Sequence, residues 1–391
     1  MRILFCSDSF PGRFGVLASD LATQGHEVLF ASHYGRRDFA IPGVRRVLLK
    51  PVREKSPLKR ALTAARQAHS AFLSLRNAGF MPDAVLFSAS SSIPLWVHRA
   101  FPSAQLFGYA DTPPLPADGD ISHLSPESEA ELAAMLRLAS LSHCRALFAF
   151  SEQCLPGLPP LLRSIARVMP SFIDSDLFSP EAARPFACAG KMFPQDGELI
   201  SMDIRLKNDE RSLPPRSMWE LALGLLAHRP QCHILLNCAT AKLLEASQDF
   251  ASRLPERWRE RLDVQGYRSF EGWRDMLNAS ALFVLPEPCL SSGGVILPEA
   301  LEAMSCGTPV ASPARPCVSA DSLGLALLTL PEIPPEEKLS HLCSHLDIIQ
   351  NETSLKKDIR NRIIAAYSHT LCLPSHMEEL MTLCGMPHLN K

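Results

Sequence analysis

The chain lacks a dominant charge. Its 39 Lys and Arg against 41 Asp and Glu leave a formal net charge of −2, which removes any global electrostatic case for nucleic acid as a partner. It also lacks paired cysteines. Twelve are present, but they stand singly, without a C-x-x-C pair or the close spacing of a small disulfide-bonded domain. They read as buried, reduced thiols. Cys343 and His345 are too isolated to suggest zinc, and we expect no metal and no cofactor. No apolar run reaches the ~18 residues that a spanning helix needs. The first residues read as a strand rather than a signal peptide, so a cytoplasmic protein is expected. Internal repeats and low-complexity tracts are missing as well.

What is present is the material for two domains. A chain of 391 residues is too long for one ordinary core, and 46% hydrophobic with 20% charged residues describes a globular protein. Short apolar runs alternate with helical patterns. In the first half the runs are Ile3–Cys6, Val28–Ser32, Val44–Leu49, Ala84–Phe87, Leu106–Tyr109 and Leu147–Phe150. Helical periodicity falls at Val16–Thr23, Leu58–Asn77, Pro94–Ala100 and Ser128–Leu141. The second half repeats the theme, with strands at Leu199–Asp203, His233–Asn237, Asp263–Gln265 and Ala281–Leu285. Such alternation implies parallel sheets covered on both faces. The stretch Ser179–Asp196 is poorly periodic and broken by Pro180, Pro185, Gly190 and Pro194, as an interdomain boundary would be. We therefore expect one domain over 1–180 and a second over 181–367, followed by a tail over 368–391.

The richest motif lies late. Gly293 and Gly294 precede Leu301-Glu-Ala-Met-Ser-Cys-Gly-Thr-Pro-Val310. A glycine turn lets backbone N–H groups approach a diphosphate, and the helix that follows favours negative charge at its start. Leu297, Leu301 and Met304 recur at helical spacing, and Gly307 before Pro309 is a helix stop. Read blandly, this is a buried helix ending at a glycine cap.

The same segment resembles the signature of retaining family 4 glycosyltransferases (glycosyl transferases group 1) of the GT-B fold. The likeness extends to the opening unit Met1–Ala31, with its Gln24-Gly-His-Glu-Val28, and to Phe172-Ile-Asp-Ser-Asp-Leu-Phe178. The fold implied is α/β: two Rossmann-like domains with parallel sheets facing across a cleft, the first on the acceptor side and the second binding the nucleotide sugar, with the tail 368–391 forming a helix that packs back on the first domain. The implied activity moves a sugar from a nucleoside-diphosphate sugar to a glycan, lipid-linked or other acceptor with retention, without metal, in cell-envelope polysaccharide or glycoconjugate synthesis.

By the same resemblance, Arg205 and Arg211 grip the diphosphate, with Lys207 competing for the second role. Gly293, Gly294 and Val295 offer backbone N–H groups, and Glu302 takes the ribose hydroxyls. Gly266, Tyr267 and Arg268 follow a strand where relatives hold the nucleobase edge. Gly12 and Gly15 belong to the loop that approaches donor phosphate or acceptor. Relatives carry a second glutamate eight positions before Glu302, where this chain has Gly294. They also carry a first-domain histidine that is missing here. Asp111 stands in for it, or the leaving phosphate itself takes the acceptor proton. These departures motivate a second reading, a catalytically lapsed protein that binds a nucleotide sugar or a partner transferase. Finally, Arg45–Arg76 holds nine Lys and Arg and a single carboxylate, Glu54. That face is either a solvated helix surface or a peripheral contact with anionic lipid at the inner membrane face.

Overall fold

The structure, a computed structural model, describes residues 1–385 apart from 36–38, 111–125, 151, 153–154, 157, 189–190, 194–197, 205–215, 239, 267, 286–295, 313–325, 331–334 and 353. Two compact units emerge: Met1–Phe172 with the segment from Thr370 onward, and Ile173–Leu290 with Ile296–His369.

The first unit is built on seven parallel strands. They are β1 (Arg2–Cys6), β2 (Glu27–Ser32), β3 (Val44–Leu48), β4 (Ala84–Ser88), β5 (Gln105–Ala110), β6 (Ala146–Ala149) and β7 (Ala166–Val168), in spatial order β3-β2-β1-β4-β5-β6-β7. The central strands are continuous apolar runs because helices cover both faces; every residue of β4 and β6 is buried. β3 sits at the edge and has no fully buried residue. Around the sheet run α1 (Gly15–Thr23), α2 (Pro57–Asn77), α3 (Val97–Ala100), α4 (Pro126–Leu141) and α5 (Pro160–Ser164). α2 starts where the sequence dictates: Ser56 caps it by accepting the Lys59 N–H at 3.2 Å, and Pro57 supplies the first helical φ. Its inner face is four alanines, Ala61, Ala64, Ala65 and Ala68, with the large Phe72; Ala68 and Phe72 join the core on this side of the sheet. The other face of the sheet is aromatic: Phe5, Phe10, Phe14, Phe30, Phe107, Tyr109 and Phe148 share one core.

The second unit repeats the plan with six parallel strands. β8 (Phe186–Cys188) and β9 (Lys191–Phe193) first form a small antiparallel hairpin. The sheet proper comprises β10 (Leu199–Ile204), β11 (His233–Cys238), β12 (Leu262–Gln265), β13 (Ser280–Val284), β14 (Val310–Ser312) and β15 (Leu327–Thr329). Their order is β12-β11-β10-β13-β14-β15. The covering helices are α6 (Arg216–His228), α7 (Ala241–Ser252), α8 (Glu256–Arg259), α9 (Phe270–Ala279), α10 (Pro298–Ser305), α11 (Pro335–Asn351) and α12 (Leu355–Tyr367). Arg229, 13% exposed, ties this unit together through ion pairs with Glu198 and, at 2.6 Å, Asp347 of α11.

The last helix, α13 (His369–Leu383), returns to the first unit. Leu373, Met377 and Leu380 enter the aromatic core. Between them His376, 1% exposed, shares a 2.6 Å hydrogen bond with the Tyr109 hydroxyl and stacks on its ring at 5.5 Å. Within the second unit, the segments flanking the two chain crossings pair with one another. Ile173 N–H donates to Tyr367 O at 2.8 Å, His369 N–H to Ile173 O at 2.9 Å, and the Ser175 and Ser368 hydroxyls meet at 2.9 Å.

Candidate functional site

Each sheet reverses its direction of growth at one place. In the second unit the chain adds β11 and β12 on one side of β10, then returns to add β13, β14 and β15 on the other. The carboxyl ends of β10 and β13 therefore diverge into opposite connections, the position where open α/β sheets leave a crevice for a ligand. Along the chain, residues 205–215 follow β10 and residues 286–295 follow β13. The expected site residues Arg205, Arg211, Gly293, Gly294 and Val295 lie in those segments, outside the described residues, as do Asp111 and Tyr267.

Glu302 is described. It stands on α10, the helix that follows the second of these segments. Pro298 occupies the first turn, and Ala300, Leu301, Ala303, Met304 and Ser305 are buried. Pro298, Glu299 and Glu302 are the half-buried positions of the helix, so two carboxylates three residues apart share its accessible stripe. The Glu302 carboxyl is held from the side: the indole N–H of Trp273 on α9 donates to its Oε2 at 2.7 Å. Trp273 is itself fixed, 3% exposed and edge-on to Phe283 at 5.7 Å. A fixed donor on a carboxylate favours its ionised form and orients it. Such a group is suited to accepting hydrogen bonds from hydroxyls.

The remainder of the motif is scaffold. Ser305 donates to Phe178 O at 2.7 Å, the Cys306 sulfur accepts from Asn278 at 3.3 Å, and Thr308 donates to Leu277 O at 2.6 Å. Gly307 has φ +82°, and a Cβ there would sit 2.6 Å from Lys356 O. Only glycine meets both demands. Arg360 closes the helix end by donating to Ser305 O at 2.6 Å and Phe178 O at 3.0 Å. On the neighbouring strands, buried Asp203 of β10 accepts from Asn237 of β11 at 2.9 Å, a buried polar pair two residues before Arg205 in sequence.

Gly266 and Arg268 follow β12. A Cβ at Gly266 would meet Leu244 Cδ2 at 3.0 Å, a tight contact that the half-buried leucine would have to yield to. The Arg268 guanidinium lies over the Phe186 ring at 4.8 Å and donates to Gln265 Oε1 at 2.5 Å. Burial lowers its pKa. Gln265 in turn donates to Asp263, which accepts the Cys188 thiol proton at 2.7 Å. The network joins the β8–β9 hairpin to the end of β12.

In the first unit the reversal falls between β1 and β4. Gly12 has φ +49° in a short 3₁₀ turn, and a Cβ at Gly15 would lie 2.9 Å from Pro11 Cβ. The tight turn thus accounts for both glycines. Beside it stand groups that the sequence reading missed. Asp8, exposed just past β1, accepts the Ser91 hydroxyl at 2.8 Å, and the Ser88 and Ser90 hydroxyls meet at 2.6 Å past β4. A carboxylate among hydroxyls repels phosphate and suits a neutral polyol.

Asp174, Asp176 and His369 also converge, with one ligand-type atom from each within 4.8 Å. Their hydrogen bonds account for them. Asp174 Oδ1 accepts the Asp176 and Leu177 N–H groups, and His369 Nδ1 accepts that of Ser175 at 3.3 Å. This is the polar packing of a turn. The nine described cysteines are free thiols; burial raises their pKa values, to about 12 for Cys144 and Cys232.

No family model and no curated protein matches the chain. Solved structures do. Sucrose-phosphate synthase of Thermosynechococcus elongatus superimposes with a TM-score of 0.67 at 15% identity, over 98% of this chain and 99% of that one. HepE of Anabaena, in complex with UDP-glucose, gives 0.61 at 14% identity over 98% and 100%. The catalytic domain of starch synthase IV from Arabidopsis thaliana, bound to ADP and acarbose, gives 0.62 at 10% over 98% and 99%. The fold is GT-B. The two parallel sheets, each reversing beside its first strand, are the GT-B plan, and the helix carrying Glu302 belongs to the second of its halves.

Proposed function

We propose that the chain is a GT-B glycosyltransferase that moves a sugar from a nucleoside-diphosphate sugar to a glycan or lipid-linked acceptor with retention, without metal, on the cytoplasmic side of the cell envelope. The observation that carries this reading is the Glu302 carboxylate, fixed by Trp273 on the helix next in sequence to the second sheet's reversal point. There it would accept the ribose hydroxyls. Arg205 and Arg211 would neutralise the leaving diphosphate in place of a cation, a role that a rigid, permanently charged guanidinium fills bidentately. Gly293, Gly294 and Val295 would add backbone N–H groups. Tyr267, with the backbone at Gly266, would face the base. In the first half, Asp8 and Ser90 would meet hydroxyls of the acceptor, and Asp111 or the leaving phosphate would take the acceptor proton. The UDP-glucose complex of HepE and the ADP complex of starch synthase IV support a diphosphate donor and leave its base open.

The test is donor turnover. The protein is incubated with UDP-, GDP- and ADP-sugars, and released nucleotide is measured together with binding by calorimetry. One donor is expected to bind and to be slowly hydrolysed. Arg205→Ala should weaken that donor at least tenfold, about 1.4 kcal/mol, or abolish turnover. Binding without release across the panel would instead favour the lapsed reading. Unchanged affinity and turnover in Arg205→Ala would remove that residue from the site.

A further inference from the structure

Of the nine basic residues between Arg45 and Arg76, four are engaged within the first unit. Arg45 pairs with Glu27, and Arg46 lies over the Phe10 ring at 4.4 Å. Arg60 donates to Glu54 O at 2.9 Å and Lys55 O at 3.3 Å, and Arg76 donates to Ala100 O at 3.1 Å. The other five, Lys50, Arg53, Lys55, Lys59 and Arg66, are exposed and have no ion pair among the described residues. Glu54 is the only carboxylate in the span.

These five cations are presented by ordered backbone. The loop between β3 and α2 is pinned at Leu49, whose N–H donates to Ser32 O at 2.8 Å, and at Lys50, whose carbonyl accepts from His33 at 2.9 Å. At its other end Arg60 grips the carbonyls of Glu54 and Lys55. Lys59 and Arg66, seven residues apart, then continue along one stripe of α2 with Ser70, Ser74 and Asn77, all exposed and none acidic. Next to the loop, Leu48 on the edge strand β3 is 68% exposed.

Cations in the first turn of a helix oppose its dipole, and adjacent like charges repel. The fold thus holds uncompensated positive charge in place beside an exposed leucine, on a chain whose overall charge is −2. We propose that Lys50, Arg53, Lys55, Lys59 and Arg66, with Leu48, form a docking surface for an anionic lipid bilayer. Charge complementarity supplies the attraction, and the leucine gives the surface an apolar point that an interfacial region accepts and a polyanion in water does not. The proposal stands independently of any transferase activity.

The test is co-sedimentation of the full chain with phosphatidylcholine vesicles, with and without phosphatidylglycerol. The protein should bind the anionic vesicles, leave the neutral ones in solution, and dissociate as salt is raised. Combined Lys50→Gln, Lys55→Gln, Lys59→Gln and Arg66→Gln substitutions should reduce partitioning roughly fivefold per charge, on the order of several hundredfold together. A charge-matched control, Lys242→Gln with Arg253→Gln, Arg257→Gln and Arg259→Gln in the second unit, should bind as the parent does. Leu48→Ser should weaken binding by severalfold and leave its salt dependence intact. Circular dichroism melts confirm that each variant folds, since all these side chains are exposed. No binding to anionic vesicles at low salt, or equal loss in both charge variants, overturns the proposal. So does binding of a single-stranded RNA oligonucleotide, lost in the first variant, by a protein that ignores vesicles.

Discussion

At the scale of single residues, the candidate site turns on one carboxylate and the indole that orients it. A hydrogen bond to a charged acceptor contributes about 1.5–3 kcal/mol. Trp273→Phe keeps the ring against Phe283 and removes only the N–H, so the fold should tolerate it. If Glu302 receives ribose hydroxyls, removing the indole donor from its carboxyl should weaken nucleotide binding by several-fold to tenfold, and Glu302→Ala should weaken it further. Calorimetric titration of both variants with the nucleoside diphosphate of the preferred donor checks this. Affinity unchanged in Trp273→Phe but lost in Glu302→Ala would make the indole mere packing. Glu302 was legible in the sequence because a glycine turn, a helix start and an acid stand within ten positions. Trp273 was not, since it lies 29 residues earlier on a different helix, and only the packing of α9 on α10 brings the two together. Asp8 and Ser90 escaped for a similar reason: serines after a strand carry no signal until the sheet order sets them beside β1.

At the scale of elements, the strands were readable and the small ones were not. Buried parallel strands are unbroken apolar runs, so β1, β2, β4, β5, β10, β11 and β13 fall within about two residues of their expected bounds. The β8–β9 hairpin has three-residue arms in a stretch punctuated by proline and glycine, too short for any period to show. α13 carries Pro374 inside it, which masks its helical pattern; the return of the tail was expected from the family resemblance alone, and the Tyr109–His376 contact across 267 residues of sequence was not expected at all. Burial lowers the pKa of His376 to about 4 and raises that of Tyr109. The unfolded imidazole takes a proton near its ordinary value of about 6.5, so below that value protons favour the unfolded chain. The stability attached to this site is whole above pH 6.5 and declines as pH falls toward 4, by on the order of 3 kcal/mol. The double variant Tyr109→Phe/His376→Phe removes both polar partners together. Its denaturant midpoint should fall less than the parent's between pH 7 and pH 4.5. Parallel pH profiles for the two proteins would show that α13 docking does not depend on a neutral imidazole.

At the scale of the molecule, the sequence displayed two rounds of strand and helix, and the structure realises them as two sheets with separate cores, one rich in phenylalanine and one largely aliphatic. The alternation made the architecture legible, because only covered parallel sheets satisfy so many consecutive apolar strands. Ligand placement was less legible, since each reversal point is a property of strand order. If the nucleotide belongs to the second unit, binding should stabilise that unit selectively, and the chain supplies its own reporter. Of its four tryptophans, Trp219, Trp258 and Trp273 belong to the second unit and Trp96 to the first. In Trp96→Phe, therefore, indole emission follows the second unit alone. A nucleoside diphosphate present at a hundred times its dissociation constant adds about 2.7 kcal/mol to whatever it binds. The emission-detected midpoint should then rise by several degrees, on a scale of roughly 2–4 °C per kcal/mol for a unit of this size. A parallel variant retaining only Trp96, with the other three changed to Phe and the nucleotide held at a hundred times that variant's own dissociation constant, should show a smaller shift. Equal shifts would mean that the two cores melt as one, and a larger shift at Trp96 would move the nucleotide to the first sheet, beside Asp8, where a carboxylate makes a diphosphate unwelcome.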